Sequence, residues 1–330
     1  MDRGNLSTAA TIDPLAVTAR YEWQVIVETL ISILIAFFSI SGNTLVFLAV
    51  YRDASLRTVP NAFIISLAIT DFLFATTRQP MFIHTLLVGH WDFSDAVCQF
   101  QGFQGYNLFA ATLFTLSAIS ISRFCLIVYP LHYKSIFSKK SVLRGIACIW
   151  VFSVLLCIGP LFGWGEYKFD KQGSICTFDH KSSKSYHILT NTIVQVNVVI
   201  LIFCYVMIFR TVRAHQRRIR LQETIENGLT IENEANSPEN LHPNEHSHEH
   251  FKREEIYITR TLLIVVCLFG MCWLPTAILS NLESANVNLP RWVRLLETMS
   301  IGMNSMVNPL VYGIRSPKFR RAFLQALRCQ

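Results

Sequence analysis

The sequence predicts an all-α membrane protein, a bundle of seven transmembrane helices followed by an amphipathic eighth helix. Hydrophobic residues make up 52% of the 330 residues and charged residues only 15%, and the mean hydropathy is +0.37. This balance excludes a large water-soluble enzyme, whose surface needs more charge. The charged residues avoid whole stretches of more than 20 residues and crowd the gaps between them, which is typical of a chain dissolved largely in lipid.

Seven apolar stretches are long enough to cross a bilayer. Each has 23 or more residues, and at a rise of about 1.5 Å per residue such a helix exceeds the hydrocarbon core, which is about 30 Å thick. We number them segments 1 to 7, at residues 24–50, 60–86, 97–129, 141–163, 188–210, 256–281 and 291–313. The predicted organisation is an extracellular N-terminus (1–23), a membrane domain (24–313) and a cytoplasmic C-terminal region (314–330).

The positively charged residues predict the orientation of the bundle. Lys and Arg cluster after segments 1, 3 and 5 and in the C-terminal tail, whereas the loop between segments 2 and 3 has Asp92 and Asp95 and neither Lys nor Arg. Because positive loops remain in the cytoplasm, we expect a multi-pass plasma-membrane protein with its N-terminus outside and its C-terminus inside. The net charge of +7 therefore reflects topology and not nucleic-acid binding. Asn5, in Asn5-Leu6-Ser7, then lies where it can be glycosylated.

Two regions are predicted to lie on the cytoplasmic side without crossing the bilayer. Residues 221–250 are rich in Glu, Asn and His, which predicts a disordered loop between segments 5 and 6. After segment 7, Phe319, Phe323 and Leu327 recur at i, i+4 and i+8 among basic residues, which predicts an amphipathic helix whose apolar side is buried in the inner leaflet. Cys329 is then either a palmitoylation site contacting membrane lipids or an unmodified thiol.

Two of the nine cysteines are predicted to form a disulfide. Six of the others fall inside apolar segments and Cys329 lies in the tail. The remaining two are Cys98, at the outer start of segment 3, and Cys176, in the loop after segment 4. Both face the oxidising extracellular side, so they form the natural pair. Their bridge would hold the second outer loop across the top of the bundle.

Each segment also carries a short motif. The motifs are Gly42-Asn43, Leu67-Ala68-Ile69-Thr70-Asp71, Ser122-Arg123-Phe124, Trp150, Tyr205, Cys272-Trp273-Leu274-Pro275 and Asn308-Pro309-Leu310-Val311-Tyr312. In this order, the motifs resemble class A (rhodopsin-like) G-protein-coupled receptors over nearly the whole chain. Local sequences such as Ser174-Ile175-Cys176-Thr177-Phe178 resemble the melatonin-receptor branch, and the loop beginning Gly163-Trp164 resembles opsins. The resemblance implies a non-enzymatic receptor for an extracellular small molecule that activates a heterotrimeric G protein.

Asp71 is an ionisable residue near the middle of the bilayer, where a charge is costly unless it is paired or hydrated. The resemblance implies an allosteric sodium ion, and no other cofactor, at a site formed by Asp71, Thr112, Asn304, Ser305 and Asn308. The alternative is a neutral Asp71 in a hydrogen-bond network without an ion.

The cytoplasmic ends of segments 3 and 6 are expected to form the activation switch. The resemblance implies that Arg123 pairs with Glu255 in the resting receptor, and Ser122 replaces the acid that usually also holds this arginine. Pro275 and Pro309 remove backbone hydrogen bonds inside helices and create points of bending. The residues assigned to coupling and switching are Arg123, Tyr205, Glu255, Asn308, Pro309 and Tyr312.

The ligand pocket is expected among the outer halves of segments 3, 5, 6 and 7, with Trp273 as its floor or as a large packing residue. Gly105 stands where amine receptors of the family carry an Asp, so an amine would lose its usual counterion. Segment 7 has no lysine, which excludes covalently held retinal. His180 stands where melatonin receptors carry a ligand-binding Gln, and Phe178 matches the aromatic that stacks on their ligand. The candidate ligand-binding residues are Arg78, Gly105, Tyr106, Phe178, His180, Trp273, Glu297 and Thr298.

Arg78 lies in segment 2, about 10 Å of helix outward of Asp71. An ionisable residue inside a span is a functional candidate by default. Three roles are open at this point. Arg78 pairs with Glu297 in segment 7, or binds an acidic ligand, or extends to the outer headgroups.

Two other interpretations compete with a ligand-activated receptor. A transporter or channel would predict broken helices in paired half-repeats and several ionisable residues along one path. Three features argue against a transporter or channel. The number of segments is odd, no internal repeat is visible, and Asp71 and Arg78 are the only ionisable residues expected deep in the spans. Within the receptor class, the alternative is a constitutively active or opsin-related receptor without covalent retinal.

Overall fold

The computed structural model describes residues 21–232, 243–285 and 287–328. Within residues 215–232 and 243–258 it describes the backbone but few side chains. The described residues form ten α-helices and one two-stranded sheet. The helices are α1 (Glu22–Arg52), α2 (Val59–Leu73), α3 (Gln79–Val88), α4 (Asp95–Val128), α5 (Pro130–Ile136), α6 (Lys139–Cys157), α7 (Lys184–Glu232), α8 (Pro243–Ser284), α9 (Arg291–Arg315) and α10 (Pro317–Leu327). The strands are β1 (Tyr167–Asp170) and β2 (Ile175–Phe178).

The predicted bundle of seven helices is confirmed. Segments 1 to 7 correspond in order to α1, α2 with α3, α4, α6, α7, α8 and α9. Within the described part of the chain, six helices are long and apolar enough to cross a membrane, and they are those of segments 1 to 6. Helix α9 is less apolar because it carries Arg291, Arg294 and Glu297, yet it packs against α1 and α8 as the seventh member of the bundle.

The two strands form an antiparallel hairpin that packs against α4. Tyr167 lies opposite Phe178 and Asp170 lies opposite Ile175. We call this end of the bundle the hairpin end, and the opposite end the α10 end. The hairpin matters for function because it lies over the space between the helices.

Segment 2 contains a π-helical turn, Phe74–Arg78, that the sequence analysis did not anticipate. Pro80 has no backbone N–H, so it cannot bond to the carbonyl of Thr76, and the local ladder is weakened. The hydroxyl of Thr76 donates to the carbonyl four residues earlier at 2.8 Å, which also competes with regular helix. Because one extra residue enters the turn, the face presented by Arg78 is rotated relative to a regular α-helix.

Residues of the seven sequence motifs form hydrogen bonds between neighbouring helices. The side-chain amide of Asn43 in segment 1 donates to the carbonyl of Ser305 in segment 7 at 3.0 Å. The indole of Trp150 in segment 4 donates to the hydroxyl of Ser66 in segment 2 at 3.2 Å. Such contacts between polar side chains and neighbouring helices are typical of membrane bundles.

The prediction of a disordered loop at residues 221–250 differs from the structure. Helix α7 continues to Glu232 and α8 begins at Pro243, so helical backbone covers much of this stretch, and residues 233–242 lie outside the described part. Low hydrophobicity argued for disorder, but Glu, Gln, Leu and Arg are good helix formers that extend a helix already nucleated in the bundle.

The helix predicted after segment 7 is α10. Phe319 is buried and its ring lies 5.7 Å from that of Tyr312, whereas Phe323 is partly buried. Leu327 is 65% exposed, and its contact with the inner leaflet stays a prediction. Asn5 and Cys329, the predicted modification sites, lie outside the described residues.

Candidate functional site

A cavity of about 390 Å³ lies between the helices at the hairpin end. Pockets for small molecules usually enclose about 300–1,000 Å³ and have mostly apolar walls with a few polar groups. Seven of the eight predicted ligand-binding residues line it, namely Arg78, Gly105, Tyr106, His180, Trp273, Glu297 and Thr298. Predicted residues from distant parts of the chain therefore lie at one cavity, although they are a minority of the residues that line it.

The hairpin is fastened over this cavity by a disulfide. Cys98 at the start of segment 3 is bonded to Cys176 on β2, as predicted. The backbone N–H of Cys176 also donates to the side-chain oxygen of Gln101 at 2.9 Å. Because alternate residues of a strand point to opposite faces, Ile175 and Thr177 both reach the cavity. The bridge thus positions two residues of the pocket wall.

Phe178 does not line the cavity, so the structure does not place its ring where it could stack on a ligand there. Its side chain is 1% exposed and lies with Tyr186, at 4.8 Å between ring centroids, and with Tyr106 and Tyr167. The reason is strand alternation, because Phe178 follows Thr177 and points to the other face of β2. Phe178 supports the hairpin and does not contact the cavity.

Trp273 lines the cavity and packs against two phenylalanines. The centroid of its ring lies 4.1 Å from that of Phe109 and 6.0 Å from that of Phe269. Its indole N–H is buried and has no hydrogen-bond partner among the described residues. Trp273 lies two residues before Pro275, where segment 6 lacks a backbone hydrogen bond. A ligand that contacts Trp273 would therefore lie close to a point where segment 6 can bend.

Arg78 is buried and points into the bundle. Its Nη1 donates to the carbonyl of Gln101 at 2.7 Å and its Nη2 donates to the carbonyl of Cys176 at 3.3 Å. At 4% exposure it does not extend to the headgroups. The carboxylate of Glu297 is bonded to Arg294, at 3.1 Å, and not to Arg78. Two of the three roles considered for Arg78 are therefore wrong, and a role in ligand binding stays open.

Gly105 is required by this position of Arg78. A Cβ atom at Gly105 would lie 1.7 Å from Nη1 of Arg78, so a larger residue would displace the guanidinium. The sequence indicated only that an amine ligand would lack a counterion here. The structure shows that a cation of the protein occupies the space beside this glycine.

Arg294 also lines the cavity but was not among the predicted residues. Its guanidinium contacts three carboxylates, those of Asp170 on β1, Glu283 at the end of α8 and Glu297 one turn along segment 7. The side chain of Arg294 is 8% exposed. A signal was present, since Arg294 and Glu297 are opposite charges at i and i+3 in an otherwise apolar segment. The partners in other elements could not be read from spacing.

A chain of hydrogen bonds crosses the cavity beside His180. Its Nδ1 lies 3.0 Å from Nδ1 of His187 in the first turn of α7, and its Nε2 lies 3.4 Å from the hydroxyl of Tyr106. Burial, together with the nearby His187 and Arg294, lowers the pKa of His180 to about 3. His180 is therefore neutral at physiological pH and acts as a hydrogen-bonding group.

Asp71 lies at the bottom of a separate polar cluster. It is 2% exposed, and its Oδ2 accepts a hydrogen bond from Nδ2 of Asn308 at 2.8 Å, with Ser305 as a second neighbour. Thr112 is turned to Thr70, to which its hydroxyl donates at 3.0 Å. The remaining predicted member, Asn304, is buried in segment 7. The carboxylate of Asp71 and the hydroxyl of Ser305 are oxygen ligands of the kind that a hard cation prefers, whereas Asn308 presents its amide nitrogen to Asp71.

The switch residues lie toward the α10 end. Arg123 is 3% exposed, and the hydroxyls of Ser122 and Tyr133 lie 3.4 Å apart. Tyr205 lies within electrostatic reach of Arg123. The side chain of Glu255 is outside the described part, so its pairing with Arg123 stays a prediction. Pro309 and Tyr312 are both buried in segment 7.

Comparisons with known proteins agree with this architecture. The profile described as "7 transmembrane receptor (rhodopsin family)" matches residues 42–312. The chain is 30% identical to a melanopsin of Branchiostoma belcheri over 87% of its length, and 31% identical to a Gq-coupled rhodopsin of Mizuhopecten yessoensis over 92%. It spans 40% and 60%, respectively, of the length of those two relatives.

A melatonin receptor and a solved structure are also similar. Melatonin receptor type 1B-B of Danio rerio is 24% identical over 95% of this chain and 85% of its own length. The crystal structure of squid rhodopsin superposes with a TM-score of 0.77 at 26% identity, and the match covers 92% of this chain and 86% of that chain. Opsins and a melatonin receptor are the two kinds of protein that the motifs resembled.

Proposed function

The chain belongs to the rhodopsin family of seven-transmembrane receptors, and from that membership we propose that it binds an extracellular small molecule in the cavity and activates a heterotrimeric G protein. The hairpin end would face the outside and the α10 end the cytoplasm, in keeping with the positively charged loops. The proposal assigns no catalytic step to the chain.

One observation carries this proposal. The wall of the cavity includes Ile175 and Thr177 of the disulfide-held hairpin and also Trp273, close to Pro275. A ligand that prefers one arrangement of Trp273 would shift the population of two bundle conformations, and the bend in segment 6 would carry the change toward the α10 end. Outward movement of segment 6 there would open a site for the G protein.

An opsin-like function through a covalent chromophore finds no support in the pocket. Attachment of an aldehyde as a Schiff base needs a lysine amine. The described residues that line the cavity include no lysine, and neither does segment 7. The pocket instead suits a ligand that binds without a covalent bond.

The signalling proposal is tested at the predicted switch. We expect Glu255→Ala to raise basal G-protein activation, because the loss of a charge-assisted contact worth about 1–3 kcal/mol shifts a two-state equilibrium roughly five- to 150-fold. Arg123→Ala should lower maximal coupling, since the same arginine is expected to contact the G protein. Both are measured with G-protein dissociation sensors at matched surface expression.

Glu254→Ala is the matched control, because it removes the neighbouring acid from the same helix. Its basal signal should stay near that of the wild type. If Glu255→Ala leaves basal activity unchanged while another mutation or an agonist does activate the receptor, the pair is not the lock. If no variant or ligand yields a G-protein signal, the signalling proposal fails.

We also propose that Asp71, with Ser305 and Asn308, binds sodium. Sodium at tenfold its dissociation constant would stabilise the folded receptor by about 1.4 kcal/mol. Asp71→Asn should fold and lose this effect, because Asn keeps hydrogen-bonding capacity and removes the charge. Thermal unfolding in sodium and in choline at equal ionic strength measures it. If sodium does not change the thermal unfolding of the wild-type receptor, Asp71 belongs to a hydrogen-bond network without an ion.

A further inference from the structure

We propose that the ligand of this cavity carries a carboxylate, which binds to the guanidinium of Arg78. This inference rests on the function proposed above and specifies the ligand's chemical class. Arg78 is buried, lines the cavity and belongs to no ion pair among the described residues. Its Nε–H is buried and has no hydrogen-bond partner in the described part of the chain. The cation of segment 2 thus has unused donors at a cavity wall.

Arg294, the second arginine that lines the cavity, differs from Arg78 because it has carboxylates beside it. Arg294 contacts Asp170, Glu283 and Glu297, so these three acids are already engaged by a cation. Arg78, by contrast, has two backbone carbonyls and the ring of Phe74, whose centroid lies 5.8 Å from Cζ, as its described partners. A buried charge without an opposite charge is costly, and carbonyl dipoles offset only part of that cost. A ligand carboxylate would supply the missing charge.

The guanidinium also has the geometry to bind a carboxylate. Arginine has five N–H donors in a planar fork, and the contacts to Gln101 and Cys176 use two of them. Three N–H groups remain, including Nε–H, and such a fork binds carboxylates by two parallel hydrogen bonds. Gly105 keeps the guanidinium in this position, because any Cβ there would collide with Nη1.

The rest of the cavity defines the body of the ligand. Aromatic rings of Tyr106, Phe109 and Trp273 line it, together with aliphatic residues of segments 3, 5 and 6. A volume of about 390 Å³ suits one compact molecule. The ligand class that fits both features is a small aromatic acid, with its ring toward Trp273 and its carboxylate at Arg78.

The test compares acids with their neutral amides on the purified full-length receptor in lipid nanodiscs. The probes are benzoate, 2-naphthylacetate and indole-3-acetate, each paired with its carboxamide, and dissociation constants are measured by ligand-dependent thermal unfolding. At least one acid should bind on the order of tenfold more tightly than its amide. Arg78→Gln should abolish this difference. Arg291→Gln, which removes an arginine of segment 7 that pairs with Glu28 outside the cavity lining, should retain it.

The proposal is overturned if no acid is preferred over its amide, or if the preference survives Arg78→Gln. If Arg78→Gln does not fold, Gly105→Ala takes its place, since its Cβ would displace the guanidinium and should remove the preference. Binding is read without a G protein, so the two proposals fail separately. Acid-selective binding without G-protein activation contradicts signalling alone, and activation only by neutral ligands contradicts the carboxylate site alone.

Discussion

Replacing Arg294 by methionine is expected to destabilise the folded receptor by about 3–5 kcal/mol, the typical cost of removing one partner from a buried ion pair. Methionine conserves much of the apolar stem of arginine, so the loss reflects charge more than volume. Without Arg294, the carboxylates of Asp170, Glu283 and Glu297 would face one another around the cavity wall with no cation between them. The β-hairpin, the end of α8 and segment 7 would thereby lose their shared contact.

Arg291→Met provides the matched control, because Arg291 lies in the same helix and is also paired with a carboxylate. It bonds to Glu28 through both terminal nitrogens at 2.7 Å, but its side chain is 29% exposed and has this single described acidic partner. Its loss should cost about 1 kcal/mol. Thermal unfolding of both variants in lipid nanodiscs gives the comparison. If the two variants lose equal amounts of stability, the three carboxylates around Arg294 are solvated and its positive charge does not stabilise them further.

The membrane bundle could be predicted because lipid imposes a simple rule on sequence. Predominantly apolar stretches of sufficient length mark the spans, and the structure has a helix at each of the seven positions. The disulfide could also be predicted, since Cys98, at the outer start of segment 3, and Cys176, in the loop after segment 4, were the two cysteines expected on the extracellular side. These inferences depend on composition and order along the chain, which a sequence displays directly.

The charged residues of the cavity were harder to predict because their partners are far away in sequence. Arg78 could be recognised as unusual from its depth in segment 2, but its contacts with Gln101 and Cys176 depend on how three elements meet. The π turn before it further changes which way the side chain points. Arg294 was not among the predicted residues because two of its acids lie in β1 and at the end of α8.

Phe178 and the stretch between segments 5 and 6 show two other limits of sequence reasoning. Resemblance aligned Phe178 with a ligand-stacking residue, yet the side chain's direction is decided by strand alternation in β2. Composition predicted disorder at residues 221–250, while helix propensity extends α7 to Glu232. In both places the local backbone decided the outcome.

Loss of the Cys98–Cys176 bridge is expected to destabilise the hairpin and the cavity beneath it. Removing a native disulfide typically costs about 2–5 kcal/mol, and this one closes a separation of 78 residues. It also fixes β2, whose Ile175 and Thr177 line the cavity and whose Cys176 carbonyl accepts from Arg78. Cys176→Ser should therefore reduce both surface expression and the binding of any ligand in the cavity.

A double-substitution cycle separates the bridge from the two cysteines as individual residues. If the bridge is responsible, Cys98→Ser, Cys176→Ser and the double variant should lose similar amounts of stability, because the first substitution already breaks the bond. Cys148→Ser is the control, since Cys148 is an exposed free cysteine of segment 4 and its loss should change little. Surface expression and thermal unfolding are measured for all four variants. Losses that add in the double variant would mean that each cysteine contributes through its own packing, and the hairpin would then be held chiefly by contacts such as that of Gln101 with the backbone of Cys176.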